Sequence, residues 1–401
     1  MFLLLLMLIY FCLLSFNKLM SKIIINASNL KGGGALQVAI TFIEGLKEHK
    51  KNKYYVFLPP ILFKSIDFAN FSNNIVFYKV ANPPIISFLG WGLKELNYLE
   101  KNIRPDCVFS FFGPTYWRPK SHHIMGFANG LYLYGDLPYI KKLPFLKKIL
   151  FNLKKYYHRA LLKSNADFYV VQTDEMKKRL ASFLDISKNI ISVNYGSYHP
   201  IFTKKIIDSN LLPEKNDNEF WFITISAYYP HKNLDAINKV LDILMFKDMK
   251  IKVKFILTLP DNIFQKKFNR KDGSIINVGP VGLDQCPYLY YKSDALFLPT
   301  LVESFTSSYP EAMVMKKPIL TSDYQFSRLV CNESALYFDP YDINDIVDKI
   351  VKIISNRDLY DELVESGLST VHEMPSYHDS TKKYLDICDS HKSKSNYVDI
   401  I

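Results

Sequence analysis

The chain has 401 residues, room for two domains of ordinary size, and its 48% hydrophobic content rules out wholesale disorder. Its five cysteines, Cys12, Cys107, Cys286, Cys331 and Cys388, form no CxxC pair, which argues against a disulfide scaffold or a structural zinc module and fits a reducing compartment. The formal charge of +11 admits nucleic acid, an anionic membrane or a phosphorylated substrate as partner, or plain lysine usage with no partner at all.

Residues 1–16 are almost unbroken apolar sequence, closed by Asn17 and Lys18. A run of that length falls short of the ~20 residues that span a bilayer. It also lacks the basic start and small-residue cleavage site of a secretory signal. Residues 1–19 therefore read either as a start mis-assigned upstream of Met20 or as a short membrane-associated leader.

Short apolar runs then alternate with helical periodicity. Strands are expected at 23–27, 54–58, 75–78, 107–111, 123–127 and 168–172, with helices over 36–49, 92–101 and 144–163 and a polar helix at 174–184. The third helix lies in a stretch with eight Lys/Arg and no Asp/Glu between Lys141 and Lys163. Its stripe of Leu146, Ile149, Leu150, Leu153, Tyr157, Ala160 and Leu161 is expected to pack on its own domain, with a solvated basic side. A lipid-facing surface is the competing reading. Residues 194–218, rich in Pro, Gly, Asn and Lys, read as irregular, and the linker itself is placed at 201–218. The alternation restarts with strands at 220–226, 253–257, 275–278, 295–299, 318–322 and 335–338. Helices are expected over 234–246, 285–292, 307–316, 343–355 and 359–366, with a last one over 377–387. The fold class is α/β: two Rossmann-like domains, 20–200 and 219–375, a closing helix within 376–391 and a tail over 392–401. Parallel sheets bind ligands at the carboxyl ends of their strands, so the site belongs in the cleft between the halves.

Three motifs sit at such strand ends. Gly32-Gly33-Gly34 opens the first helix, where bare backbone lets a ligand approach; it is neither a GxGxxG fingerprint nor a Walker loop. His231-Lys232-Asn233 follows the first strand of the second half, where Lys232 can offer charge to an anion and Asn233 can serve near the helix cap. Glu303-Ser304-Phe305-Thr306 through Glu311 follows the strand at 295–299. Two carboxylates there can accept from the hydroxyls of a sugar and a ribose.

These residues carry a resemblance. Glu303 and Glu311 as E-x7-E, the His231-Lys232-Asn233 turn and the segments 277–281, 293–299 and 338–340 resemble the donor-binding domain of retaining glycosyltransferases of family 4, which have the GT-B fold. The resemblance implies that Lys232 contacts the donor diphosphate and Glu311 the nucleotide ribose. It implies that Glu303, with Ser304, Phe305 and Thr306, holds the transferred sugar, and that Gly33 and Gly34 close in from the first domain. It further implies retention of anomeric configuration, no metal and no cofactor, the nucleotide-sugar being substrate. The resemblance implies as acceptor a glycan or lipid-linked glycan of a bacterial surface polysaccharide, met in the cytoplasm or peripherally at the inner face of the plasma membrane. No nucleic-acid partner is expected. The sequence departs from the family at Ser226, where many members have Arg, at Ser304 and Thr306, which replace two glycines, and at Asn129, near which many members have His. Asn129 can orient an acceptor hydroxyl but cannot act as a base. Two other readings share this architecture: a nucleotide-sugar epimerase and a non-catalytic sugar-nucleotide-binding protein.

Overall fold

A computed structural model describes residues 20–84, 93–268 and 270–392. The leader 1–19 with Cys12, residue 92 at the start of one expected helix and residues 393–401 of the tail lie outside these.

The first half is a seven-stranded parallel sheet: β1 (Lys22–Asn26), β2 (Lys53–Leu58), β3 (Ile75–Lys79), β4 (Cys107–Ser110), β5 (His123–Gly126), β6 (Phe168–Val171) and β7 (Ile191–Val193), in the order β3-β2-β1-β4-β5-β6-β7. Ile23, Ile24 and Ile25 of β1 are fully buried because helices cover both faces, and this is why the strands read as continuous apolar runs. The connections carry α1 (Gly34–Leu46), α2 (Pro60–Phe63), α3 (Lys94–Ile103), α4 (Gly130–Leu133), α5 (Pro138–Lys141), α6 (Phe145–Asn165) and α7 (Asp174–Leu184). Thr173 caps α7 by accepting from the Met176 amide, and Asp174 and Glu175 favour its positive end.

The second half is a six-stranded parallel sheet, β8 (Glu219–Thr224), β9 (Lys252–Leu257), β10 (Ile275–Asn277), β11 (Ala295–Leu298), β12 (Ile319–Ser322) and β13 (Ala335–Phe338), ordered β10-β9-β8-β11-β12-β13. With it come α8 (Ala236–Leu244), α9 (Asp261–Lys267), α10 (Cys286–Lys292), α11 (Ser308–Val314), α12 (Gln325–Cys331), α13 (Ile343–Ser355) and α14 (Arg357–Glu373). The expected pair of Rossmann-like domains is present. In each sheet the strand order reverses beside the first strand, at β1/β4 and at β8/β11, and the crevice at such a reversal is where ligands sit.

The last helix, α15 (Tyr377–Ser390), returns to the first domain. Its Tyr384, Leu385, Ile387 and Cys388 belong to the same apolar cluster as Phe42, Phe109 and the β1 side chains. A second cluster crosses the seam between the halves: Leu301, Val302 and Phe326 pack with Phe127, Tyr132 and Tyr134 of the first domain.

Two expectations need correction. The apolar stripe of α6 docks on its own domain only near the helix end, at Leu161, and not over its first turns. Leu146, Ile149, Leu150 and Leu153 are exposed, and the buried residues are His158, Leu161, Leu162 and Asn165 near the helix end. Asn233 does not cap α8. It takes a left-handed conformation at the end of a 3-10 turn, Pro230–Lys232, and its side-chain amide donates to the Pro340 carbonyl at 3.1 Å.

Candidate active site

Two loops leave the carboxyl ends of β8 and β11 side by side and are stitched together before any ligand arrives. The Leu301 amide donates to the His231 carbonyl at 2.7 Å, and the Thr300 hydroxyl reaches the same carbonyl at 3.2 Å. That hydroxyl is also 3.0 Å from Glu303 Oε1, the oxygen that pairs with Lys232 Nζ. Lys232 and Glu303 are both largely buried, so this is an ion pair shielded from bulk water. His231 beside them has its pKa lowered by burial, which keeps the ring neutral. The Tyr229 ring stacks on it, with centroids 5.6 Å apart.

The first domain meets this loop through backbone. The Ser304 hydroxyl donates to the Ala128 carbonyl at 2.8 Å. Gly130 is so close that a Cβ there would lie 2.8 Å from the Glu303 carbonyl carbon and 3.0 Å from the Ser304 nitrogen. Asn129 is the residue before α4, makes no capping bond to that helix, and stands in the chain between Ala128 and Gly130, the two residues whose backbone meets the Glu303–Ser304 loop. Further along, the Phe305 ring lies against Gly196, where a Cβ would come within 2.2 Å of the ring. The Thr306 hydroxyl accepts from the Ser308 amide at 3.3 Å and shapes the entry to α11.

Glu311 occupies a different place. It lies in the first turn of α11, is 6% exposed, and accepts from the Tyr290 hydroxyl at 3.2 Å. Burial pushes its pKa up to about 7, against hydrogen bonds from Ser307 and Tyr290 that favour the anion. It lines a small interdomain cavity of about 30 Å³ with Gln37 and Thr41 of α1, Gln172, Gly196 and His199. Gly33 and Gly34 head α1 but do not line this cavity. Gly33 has φ of 69°, and a Cβ on either glycine would meet nothing within 4 Å. The structure thus gathers Lys232, Glu303, Ser304 and the backbone at Asn129 into one cluster. It sets Glu311 in an adjoining cavity beyond Phe305, and leaves the glycines at open space.

The contributions of Thr300, Gly130, Gly196 and Gln37 were not expected from the sequence. Thr300 had a signal, standing between the apolar strand and Glu303. The others reach the site only because the two domains meet there, which no local pattern encodes.

Residues 210–369 match the family model described as glycosyl transferases group 1. That match falls on the second half of the chain. The chain is 23% identical over 197 residues to an O-antigen chain mannosyltransferase of Salmonella typhimurium, covering 47% of this chain and 52% of that protein; it therefore spans about half the length of the curated relative it matches. Among solved structures it is similar to a glycosyltransferase of Rickettsia africae at a TM-score of 0.69 and 18% identity, covering 93% of this chain and 99% of that one. It is also similar to HepE of Anabaena in complex with UDP, at a TM-score of 0.66 and 11% identity over 92% of this chain and 100% of that one. The architecture is GT-B.

Proposed function

We propose that the protein transfers a sugar, with retention of configuration, from a nucleoside-diphosphate sugar to a glycan or lipid-linked acceptor in bacterial surface polysaccharide synthesis. The Lys232–Glu303 pair carries this reading. It sits at the strand-order reversal of a group 1 domain, where a diphosphate takes over Lys232 and frees the Glu303 carboxylate to accept from the sugar's hydroxyls. Asn129, between the two residues whose backbone meets the Glu303–Ser304 loop, is assigned the orienting of an acceptor hydroxyl. Glu311, with Tyr290 behind it, receives the ribose hydroxyls, and Ser304, Phe305 and Thr306 supply the wall around the sugar. Gly33 and Gly34 leave room for phosphates or acceptor on the first-domain side. Chemistry in such a cleft is positioning plus charge stabilisation of a departing nucleoside diphosphate, and no resident metal or cofactor enters the proposal. The mannosyltransferase relative supports the reaction class, and the UDP complex of the similar fold supports a nucleotide in this cleft.

The test is a thermal-shift screen against UDP-, GDP- and ADP-sugars, because a donor bound to the folded state raises the melting temperature by mass action. Incubation of the stabilising donor with the enzyme should then release nucleoside diphosphate, with NMR showing the product's anomeric configuration. Inverted product removes retention from the proposal, epimerised donor makes the protein an isomerase, and binding without turnover makes it a carrier.

A further inference from the structure

The first turns of α6 are unlike the rest of the surface. Phe145, Leu146, Leu150, Leu153 and Tyr156 are 63–76% exposed and Ile149 is 42% exposed. At 3.6 residues per turn these six side chains fall within one arc of about 140° on the helix, opposite the face that His158, Leu162 and Asn165 bury. Lys147, Lys148 and Lys154 are exposed about 40–60° outside that arc, Lys148 on one side and the other two on the other, and no Asp or Glu occurs between Lys141 and Lys163. Lys155 and Arg159 are not part of it. Lys155 turns inward over the Phe183 ring at 5.1 Å, and Arg159 donates to the Phe183 carbonyl.

An exposed apolar strip of this size marks an interaction surface, and its charge selects the occupant. A second copy laid on the same face would bring lysines against lysines. The apolar residues 1–16 hold no acidic group to answer the cations. An anionic bilayer supplies hydrocarbon and negative headgroups together. We propose that this face of α6 docks on an anionic lipid surface, with the apolar arc among the acyl chains and Lys147, Lys148 and Lys154 among the headgroups. The helix α5 lies immediately before it, and Tyr139 of α5 is 6.5 Å from the His231 ring, so docking holds one lip of the cleft near the bilayer.

The experiment is flotation of the full chain with vesicles of equal phosphatidylglycerol and phosphatidylcholine, and with phosphatidylcholine alone. Binding is expected to the anionic vesicles at low salt and to fall as salt shortens the Debye length below about 10 Å. Each lysine near the surface is worth about fivefold in partitioning, so K147E/K148E/K154E should lower it at least about a hundredfold. L146Q/L150Q/L153Q should lower it by a similar factor while leaving both the melting temperature and the nucleotide-induced shift as in the unmodified chain. The proposal is overturned if the unmodified chain ignores anionic vesicles at low salt. It is equally overturned if both variants keep its affinity and salt dependence, which would assign binding to residues 1–19 or another surface. Loss of self-association in the leucine variant, with lipid binding intact, would make the face a contact between copies and also overturn it.

Discussion

Burial holds the Glu311 carboxyl near a pKa of about 7 in the empty protein, whereas the unfolded chain has the ordinary 4.5. A folded-state pKa raised in this way favours folding below pH 4.5, and the advantage is lost as pH rises to about 7. With about 1.4 kcal/mol for each tenfold change in proton affinity, the cost at pH 8 is about 3 kcal/mol. Glu311→Gln keeps an acceptor for Tyr290 and has no charge to bury. Thermal melts should therefore show the variant more stable than the parent at pH 8, with the difference shrinking as pH falls and gone by about pH 4. A ribose that donates to the ionised carboxylate should bind more tightly as pH rises towards 7, and calorimetric titration of the nucleoside across pH 5.5–8 checks this. The variant should lose that dependence along with donor affinity. Lys232 makes a separate prediction because its charge is already answered by Glu303. Lys232→Ala should weaken a nucleoside diphosphate 10- to 100-fold, the value of a charged hydrogen bond, and the bare nucleoside much less. Glu303→Gln frees the lysine, so diphosphate affinity should rise several-fold while transfer disappears. Equal effects on nucleoside and diphosphate would show that Lys232 does not reach the phosphates.

Among the elements, the loop after β5 and the loop after β11 are fitted to each other at Gly130, where the two backbones meet with no side chain between them. Gly130→Ala would drive a methyl group into the Glu303 and Ser304 backbone, which cannot give way as a flexible side chain does. The expected outcome is a separated seam and at least a tenfold loss of kcat/KM with the sheet cores intact, read by donor turnover together with circular dichroism. Gly196→Ala meets the Phe305 ring first, so adding Phe305→Ala should recover much of its stability. The elements themselves were largely legible. Buried parallel strands such as 295–299 announce themselves as apolar runs, and the observed β11 differs from that span by one residue. The three-residue edge strand β7 has too little apolar sequence to show, and α9, beginning Asp261-Asn262 and ending Lys266-Lys267, reads as loop. At the candidate site, Lys232 and Glu303 were readable as candidates because they stand just past strand ends, and Glu311 because of its E-x7-E spacing from Glu303. The pairing of Lys232 with Glu303 and the seclusion of Glu311 were not, since both depend on how two loops and two domains meet. The stripe of α6 shows the limit from the other side: periodicity told that the helix has an apolar face but not which way it points.

For the molecule as a whole, the chain crosses between its halves twice, once after β7 and once between α14 and α15. Tyr384 of α15 lies 4.9 Å from the Phe109 ring and 5.7 Å from Phe42, and Gly45 of α1 lets Thr381 sit where a Cβ would be 2.3 Å from its hydroxyl. Tyr384→Ala should thus cost the first domain about 3 kcal/mol or more, although the substitution lies beyond the last residue of the second. Chemical denaturation followed by hydrogen exchange in β1 and β4 would register the loss there. Protein synthesis runs in one direction only. The strands of the first sheet have all been synthesised by residue 193, yet its core lacks Tyr384, Leu385, Ile387 and Cys388 until about 190 residues later. The domain made first is the last to be completed, and a nascent chain halted at residue 373 carries a finished second sheet behind a first one still open along the face of α1.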